Sequence, residues 1–178
     1  GMLEAYYKQA SRTGVTMVYE TAATRLITSG DCVCGIEVAA RGEHRRISAG
    51  AVVLACGGFE SNPDMRAMYL GSHWDLAKVR GTRFNTGRGL KMALDIGARA
   101  CGQMSGAHST CWDLNAPEFG DLTVGDSYQK HSYPFGIMVN ANGERFLDEG
   151  ADFRNYTYAK YGRELLRRTA LTDQTGRW

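Results

Sequence analysis

The strongest constraint on this chain is one apolar run, Ala-Val-Val-Leu-Ala-Cys at 51–56, closed by Gly57-Gly58. Six apolar residues in a row, without the alternation of a half-solvated strand, suit a strand buried on both faces of a parallel sheet. Parallel neighbours need long crossover connections, and no second run of this kind stands beside it in the 178 residues. The first part of the chain is therefore expected to be one piece of a larger α/β domain.

Around that run the pattern is short and β-rich. Residues 2–13 predict a helix that Gly14 stops in a left-handed conformation. VTMVYE, TRLIT, VCGIEVAA and HRRIS follow between turn residues such as Ser29-Gly30-Asp31 and Arg41-Gly42, as in a small antiparallel meander. Asn62-Pro63 predicts the cap and first turn of a helix over 63–70. Near residue 80 the character changes. The loop GTRFNTGRG leads into LKMALDIGA, where Leu90, Ala93, Leu94 and Gly97 share a helical face. Residues 102–134 lack periodicity, and an irregular stretch that long often carries function. Residues 137–148 predict a hairpin about the Asn140–Gly143 turn. Residues 155–168 predict a helix, with Asn155 as cap and Gly162 as its weak point. The expected organisation is α+β in two regions. Residues 2–79 would be part of a larger α/β domain (helix, meander, one buried strand), and residues 80–178 a second α+β region.

Charge and cysteine usage narrow the function classes. A formal charge of +2 is too small to predict nucleic-acid binding. No run of about 18 apolar residues predicts a membrane span. The five cysteines, Cys32, Cys34, Cys56, Cys101 and Cys111, form no C-x-x-C pair and no metal-ligand set. Reduced thiols without metal, and a cytoplasmic setting, are expected.

Three segments carry chemistry. At AVVLACGGFESN (51–62), a strand ending in Gly-Gly lets a ligand approach the backbone, although a glycine turn alone gives the same pattern. At NTGRG (85–89), two glycines before a helix start offer backbone N–H groups to an anion, and a plain linker is the alternative. At MVNANGERFLDE (138–149), Arg145 follows the hairpin turn, where a surface arginine is also ordinary.

Together these segments resemble the fumarate reductase/succinate dehydrogenase flavoprotein family. VVLACGGF is similar to its V-L-A-T-G-G-F strand, NTGRG to its T-G-D-G loop, and VNANGERFLDE to its V-N-x-x-G-x-R-F-x-N-E hairpin. The resemblance implies FAD as cofactor, near Ala55, Cys56, Gly57, Gly58, Thr86, Gly87 and Gly89, with residues 80–178 as a substrate-capping domain. It implies Arg145 as the catalytic arginine over the substrate's C–C bond. His108 stands roughly where the family has a carboxylate-binding histidine. Arg88 replaces the acid of the glycine loop, and the family's E-x-x-R-G-E-G segment gives way to QKHSYPFG (129–136), so proton delivery must differ, with Lys130, His131 and Tyr133 available.

Long stretches from residue 80 to 163 narrow the resemblance to the tricarballylate dehydrogenase branch, to which the flavoprotein part of precorrin-3B synthase in cobalamin biosynthesis is similar. The branch implies oxidation of a tricarboxylate, tricarballylate to cis-aconitate. Carboxylates of such a substrate call for cations, and Arg154, Arg83, Lys130, His131 and His108 are the candidates beside Arg145. It also implies an iron–sulfur or haem membrane protein as electron acceptor, holding the enzyme at the inner face of the membrane. A non-catalytic docking module for that partner is the alternative of a different class.

The family's G-x-G-x-x-G fingerprint, which seats the FAD pyrophosphate, does not occur in these residues. This stretch by itself is therefore expected to retain little FAD. Flavin absorbance after desalting checks this, and near-stoichiometric flavin would refute it.

Overall fold

The computed structural model describes residues 1–140 and 142–172; Ala141 of the expected hairpin turn and residues 173–178 of the expected second region lie outside these. The chain divides into two compact units, one of residues 1–54 with 92–98, the other of residues 55–91 with 99–178.

In the first unit, helix α1 spans Met2–Arg12. Gly14 follows at φ 76°, the left-handed stop that its sequence position requires. Strands β1 (Ala22–Ser29), β2 (Cys32–Ala40) and β3 (Glu43–Ser48) form an antiparallel sheet in the order β1-β2-β3. Leu26 of β1 and Val38 of β2 are its buried hydrophobic residues, and Gly35 of β2 is buried as well. On the wet side Glu37 accepts from Arg25 at 2.9 Å and stands 3.6 Å from His44, a cross-strand charge cluster that holds its carboxyl below the usual range. Three of the four expected meander strands are thus present.

Two expectations are corrected here. VTMVYE forms no strand, with Val18 62% and Tyr19 66% exposed. The run 51–56, expected as a buried strand, also lacks a ladder partner and is largely exposed, with Val53 at 88%. The cause is the same for both. A strand is a paired object, and β-propensity without a neighbour leaves backbone N–H and C=O groups to water.

In the second unit, helix α2 (Pro63–Leu70) begins as its sequence predicts: Asn62 Oδ1 accepts the Met65 N–H at 3.1 Å, and Pro63 fills the first turn. Arg66 on α2 is buried. It donates to the carbonyls of Glu60 (2.5 Å), Trp74 (2.7 Å), Asp75 (2.8 Å) and Ala77 (3.1 Å). One guanidinium thereby satisfies the backbone of a turn that has no ladder of its own. Burial lowers its pKa, and Asp75 and Glu118 oppose that shift.

Helix α3 (Arg88–Asp95) follows the glycine loop. The stretch 102–134 is irregular, as expected. It is tied by a bridge between Trp112 and Gln129 and ends near a 3₁₀ turn at Tyr133–Phe135. The expected hairpin is present in reduced form: one bridge joins Val139 to Arg145, and Asn140 Oδ1 accepts the N–H groups of Asn142 and Glu144.

Helix α4 (Arg154–Thr172) closes the unit, starting one residue before the expected cap Asn155. Cys111, Tyr133 and Tyr161 form the buried core, with Met138, Leu147, Tyr158 and Leu165 packed against it. On α4, residues 157, 158, 161, 162 and 165 fall on one face by helical spacing, which places Gly162 at the crossing. A Cβ on Gly162 would stand 2.5 Å from the Ser109 carbonyl carbon and 2.6 Å from the Thr110 nitrogen. The glycine that weakens the helix by propensity is what lets it reach the 109–110 backbone.

Gly162→Ala should therefore destabilise the fold by about 1–3 kcal/mol, the cost of overpacking against rigid backbone, although alanine is the better helix former. Urea denaturation measures this; an unchanged or raised midpoint would show that α4 is not seated on that segment.

Candidate functional site

The two glycine loops of the second unit pack into one another. The Gly87 N–H donates to the Gly58 carbonyl at 2.9 Å, Ser61 N–H to the Asn85 carbonyl at 2.9 Å, and Asn62 Nδ2 to the Thr86 carbonyl at 3.0 Å. A Cβ at Gly57 would lie 2.5 Å from Asn85 Oδ1, at Gly87 2.3 Å from Met65 Sδ, and at Gly89 2.2 Å from Cys56 Sγ. Gly57 (φ 76°) and Gly87 (φ 77°) are left-handed as well. Gly87 and Gly89 are buried, whereas Ala55, Cys56 and Gly57 are exposed and Gly58 and Thr86 half-buried. The inner glycines let the loops close, and the outer residues present backbone with little side chain in front of it. A flat ligand can lie against such a surface without displacing protein atoms.

The second cluster centres on Glu149, which is 2% exposed. Its Oε2 accepts from Arg145 Nε at 2.9 Å and Nη2 at 2.5 Å, and its Oε1 accepts the Met138 N–H. The Arg145 side chain remains 54% exposed, and Asp148 Oδ1 lies 3.7 Å from Nη2. The hydrogen bond from Arg145 holds the Glu149 carboxyl below its ordinary pKa, and the Met138 amide adds to this. The same contact raises the Arg145 pKa. The pair is thus fully charged at neutral pH. Its contribution to stability is complete above the unfolded carboxyl's pKa and is lost as pH falls through the lowered folded value.

Glu149 also borders a cleft of about 690 Å³ lined by His131, Pro134, Phe135, Gly150, Asp152, Phe153 and Arg154. Arg154 donates only to the neighbouring Asn155 Oδ1 at 3.2 Å and forms no ion pair among the described residues. His131 has no hydrogen-bond partner for either ring nitrogen among the described residues. Burial lowers its pKa, and the charges of Arg154 and Arg80 lower it further, so the ring is neutral at pH 7. It packs on Tyr158 at 5.4 Å between centroids. The Tyr158 hydroxyl in turn bonds His108 Nε2 at 2.8 Å, with the rings edge to face.

The structure therefore brings His131, Arg154 and, through Glu149, Arg145 to one cleft, and joins His108 to it through Tyr158. Two candidates are engaged elsewhere. Lys130 pairs with Asp113 at 2.7 Å, and Arg83 lies over the Phe119 ring at 5.5 Å. Tyr133 is also committed: its hydroxyl bonds Thr157 Oγ1 at 2.6 Å and the Arg154 carbonyl at 3.2 Å. Glu149 and Tyr158 are the residues that sequence reasoning passed over. Glu149 stood in the quoted hairpin motif four residues after Arg145, the spacing at which such a pair meets on a helical turn. Tyr158 had no signal beyond the tyrosine-rich run 156–161. No cluster of His, Cys, Asp and Glu suited to a metal occurs among the described residues, and all five cysteines are free. Burial pushes the Cys111 thiol up to about 11, so it is unreactive at neutral pH.

Comparison with known proteins identifies the family of the chain. The model of the FAD binding domain family matches residues 1–173. The chain is 32% identical over 161 residues to a 3-oxosteroid 1-dehydrogenase of Mycobacterium tuberculosis, covering 86% of this chain and 27% of that protein. Among solved structures, it superposes with a TM-score of 0.68 on the 3-ketosteroid delta1-dehydrogenase from Sterolibacterium denitrificans, at 28% identity over 92% of this chain and 28% of that one. An open form of a flavocytochrome c3 fumarate reductase gives a TM-score of 0.63 at 25% identity, over 84% and 25% of the respective chains. The chain thus spans about a quarter of the length of these relatives. With its mixed helices and strands and its glycine loops, it belongs to the FAD-binding flavoprotein family of the fumarate reductase and 3-oxosteroid dehydrogenase type.

Proposed function

We propose that the whole protein is an FAD-dependent oxidoreductase that adds or removes hydrogen across a C–C bond next to an oxygen-bearing group. The observation that carries this is Arg145, paired through Nε and Nη2 with Glu149, a buried carboxylate that itself lines a cleft. FAD, when bound, supplies the hydride acceptor or donor. Ala55, Cys56, Gly57 and Gly58 would present backbone to it, with Thr86, Gly87 and Gly89 shaping the loop behind them. Residues 2–79 then belong to the flavin-binding domain and residues 80–178 to the capping domain.

Arg145 acts in this reading as a fixed cation. A free guanidinium already titrates far above neutral, and the Glu149 hydrogen bond raises Arg145 further, which disfavours proton abstraction by Arg145. Stabilising negative charge on the substrate oxygen as the C–H bond breaks requires no deprotonation. Arg154 and the neutral His131 face the same cleft and would bind the substrate's polar end, with Tyr158 and His108 behind them. Lys130 and Arg83 would have to leave Asp113 and Phe119 before reaching a ligand.

The finer reading is tricarballylate oxidised to cis-aconitate, supported by the motif resemblance over residues 80–163, with electrons passing to an iron–sulfur or haem partner. The flavoprotein of cobalamin synthesis is its variant. A second reading has its own observation: Pro134, Phe135 and Phe153 give the cleft apolar walls, and Phe135 is 93% and Phe153 79% exposed. Such walls suit a substrate with an apolar body and a single polar end, like the oxosteroid of the dehydrogenase relatives. Reduction of an artificial dye by the flavin-loaded full-length protein, with tricarballylate, fumarate and a 3-oxosteroid in turn, separates the readings.

Arg145→Lys in that protein should retain the fold and the flavin, while kcat and kcat/KM fall together by roughly 10²-fold, as expected when a transition-state contact is displaced. A raised KM at unchanged kcat would reduce Arg145 to carboxylate anchoring. Unaltered turnover would make it an ordinary hairpin residue.

A further inference from the structure

We infer that Glu149 is a positioning residue. It fixes the Arg145 guanidinium so that only its Nη1–Nη2 edge is offered to a ligand, which makes that edge a receptor for one planar oxyanion, a carboxylate or an enolate. The inference rests on the reading of Arg145 above.

The geometry is as follows. A guanidinium carries five N–H donors in a planar fork with two binding edges, one through Nε and Nη2 and one through Nη1 and Nη2. Glu149 Oε2 takes the first edge, at 2.9 Å from Nε and 2.5 Å from Nη2. Nη1 has no partner among the described residues, and the Arg145 side chain is about half exposed. The carboxylate that holds it is buried and cannot swing away, because its second oxygen accepts the Met138 amide next to Val139, the residue bridged to Arg145 across the hairpin. Both ends of the arginine are thus fixed, its backbone by the hairpin and its head by a carboxylate anchored to the opposite strand. Two parallel N–H bonds from the remaining edge match two coplanar oxygens, or one oxygen with developing charge. Asp148, at 3.7 Å and largely exposed, is too loose to close that edge.

The clamp has a chemical signature that does not require the substrate. Phenylglyoxal condenses with the uncharged guanidine, so a clamped, charged arginine reacts slowly. In the flavin-loaded full-length protein, modification of Arg145 is followed by peptide mass mapping across a pH series, with the exposed Arg99 as internal reference. Glu149→Gln should speed modification at Arg145 at least about tenfold relative to Arg99 and move its pH profile downward, since one pKa unit is tenfold in the reactive fraction. Glu149→Asp keeps the charge and should fall between. Benzoate, as a simple planar carboxylate, should protect Arg145 in the parent and less in Glu149→Gln. Retained flavin and an unchanged profile at Arg99 show that the variants are folded. If the Arg145 to Arg99 ratio and the pH profile are the same in parent and Glu149→Gln, the clamp is refuted. If benzoate gives no protection in the parent, the open edge is not an oxyanion receptor and that part is overturned. Both outcomes are independent of turnover, so loss of the catalytic reading of Arg145, seen only in Arg145→Lys kinetics, is distinguishable from either.

Discussion

A carboxylate taken out of water must find its donors before anything around it can close, and Glu149 sets that condition for the whole second cluster. Desolvation alone would push its pKa up. Two donor groups, the Arg145 fork and the Met138 amide, reverse that, and each belongs to a different strand of the same hairpin. Satisfying the charge therefore requires the hairpin to be closed, and a closed hairpin holds Arg145 against Glu149, which lines the cleft. A hairpin with a single ladder bridge is marginal by itself. Here its register is maintained by the electrostatics of one buried group, while Tyr161 donating to the Asp148 carbonyl ties the same turn to α4.

Legibility in the sequence followed the range of the forces involved. Helix α2 with its Asn62 cap and the Gly14 stop rest on contacts within a few residues, and the three meander strands on turn residues between short β-rich runs, so each was readable from local pattern. The long irregular region could be recognised by its lack of period, though not its ties, because the Trp112–Gln129 bridge and the Lys130–Asp113 pair join residues 17 apart in no periodic pattern. VTMVYE and the run 51–56 show the opposite limit. Their composition reports what a strand would bury, but pairing is a property of two segments, and composition describes one. Gly162 was misjudged for a related reason: helix propensity counts the cost to α4 and omits what the helix packs against.

The candidate site divides in the same way. Arg145 was legible only as part of a motif, and its partner Glu149 stood in that motif unremarked. Arg154 and His131 were named as cations for a substrate with several carboxylates. The cleft they line has aromatic walls, and the neutral state of His131 follows from burial beside two arginines, a condition that no spacing rule encodes. Lys130 shows the converse, a lysine well placed along the chain and already neutralised in space. Both glycine motifs are loops in the structure. Their inner glycines serve loop-to-loop packing, which sequence cannot distinguish from direct approach of a ligand.

Arg66 closes a different kind of gap. Four carbonyls converge on a buried guanidinium, and the directions of its N–H bonds match theirs. An ammonium group in the same place has three protons. A lysine there would preserve charge and most of the length, yet has too few N–H groups for all four carbonyls. At this position the exchange that substitution tables score as mild removes a backbone ligand, so tolerance at residue 66 is governed by valence, with charge secondary.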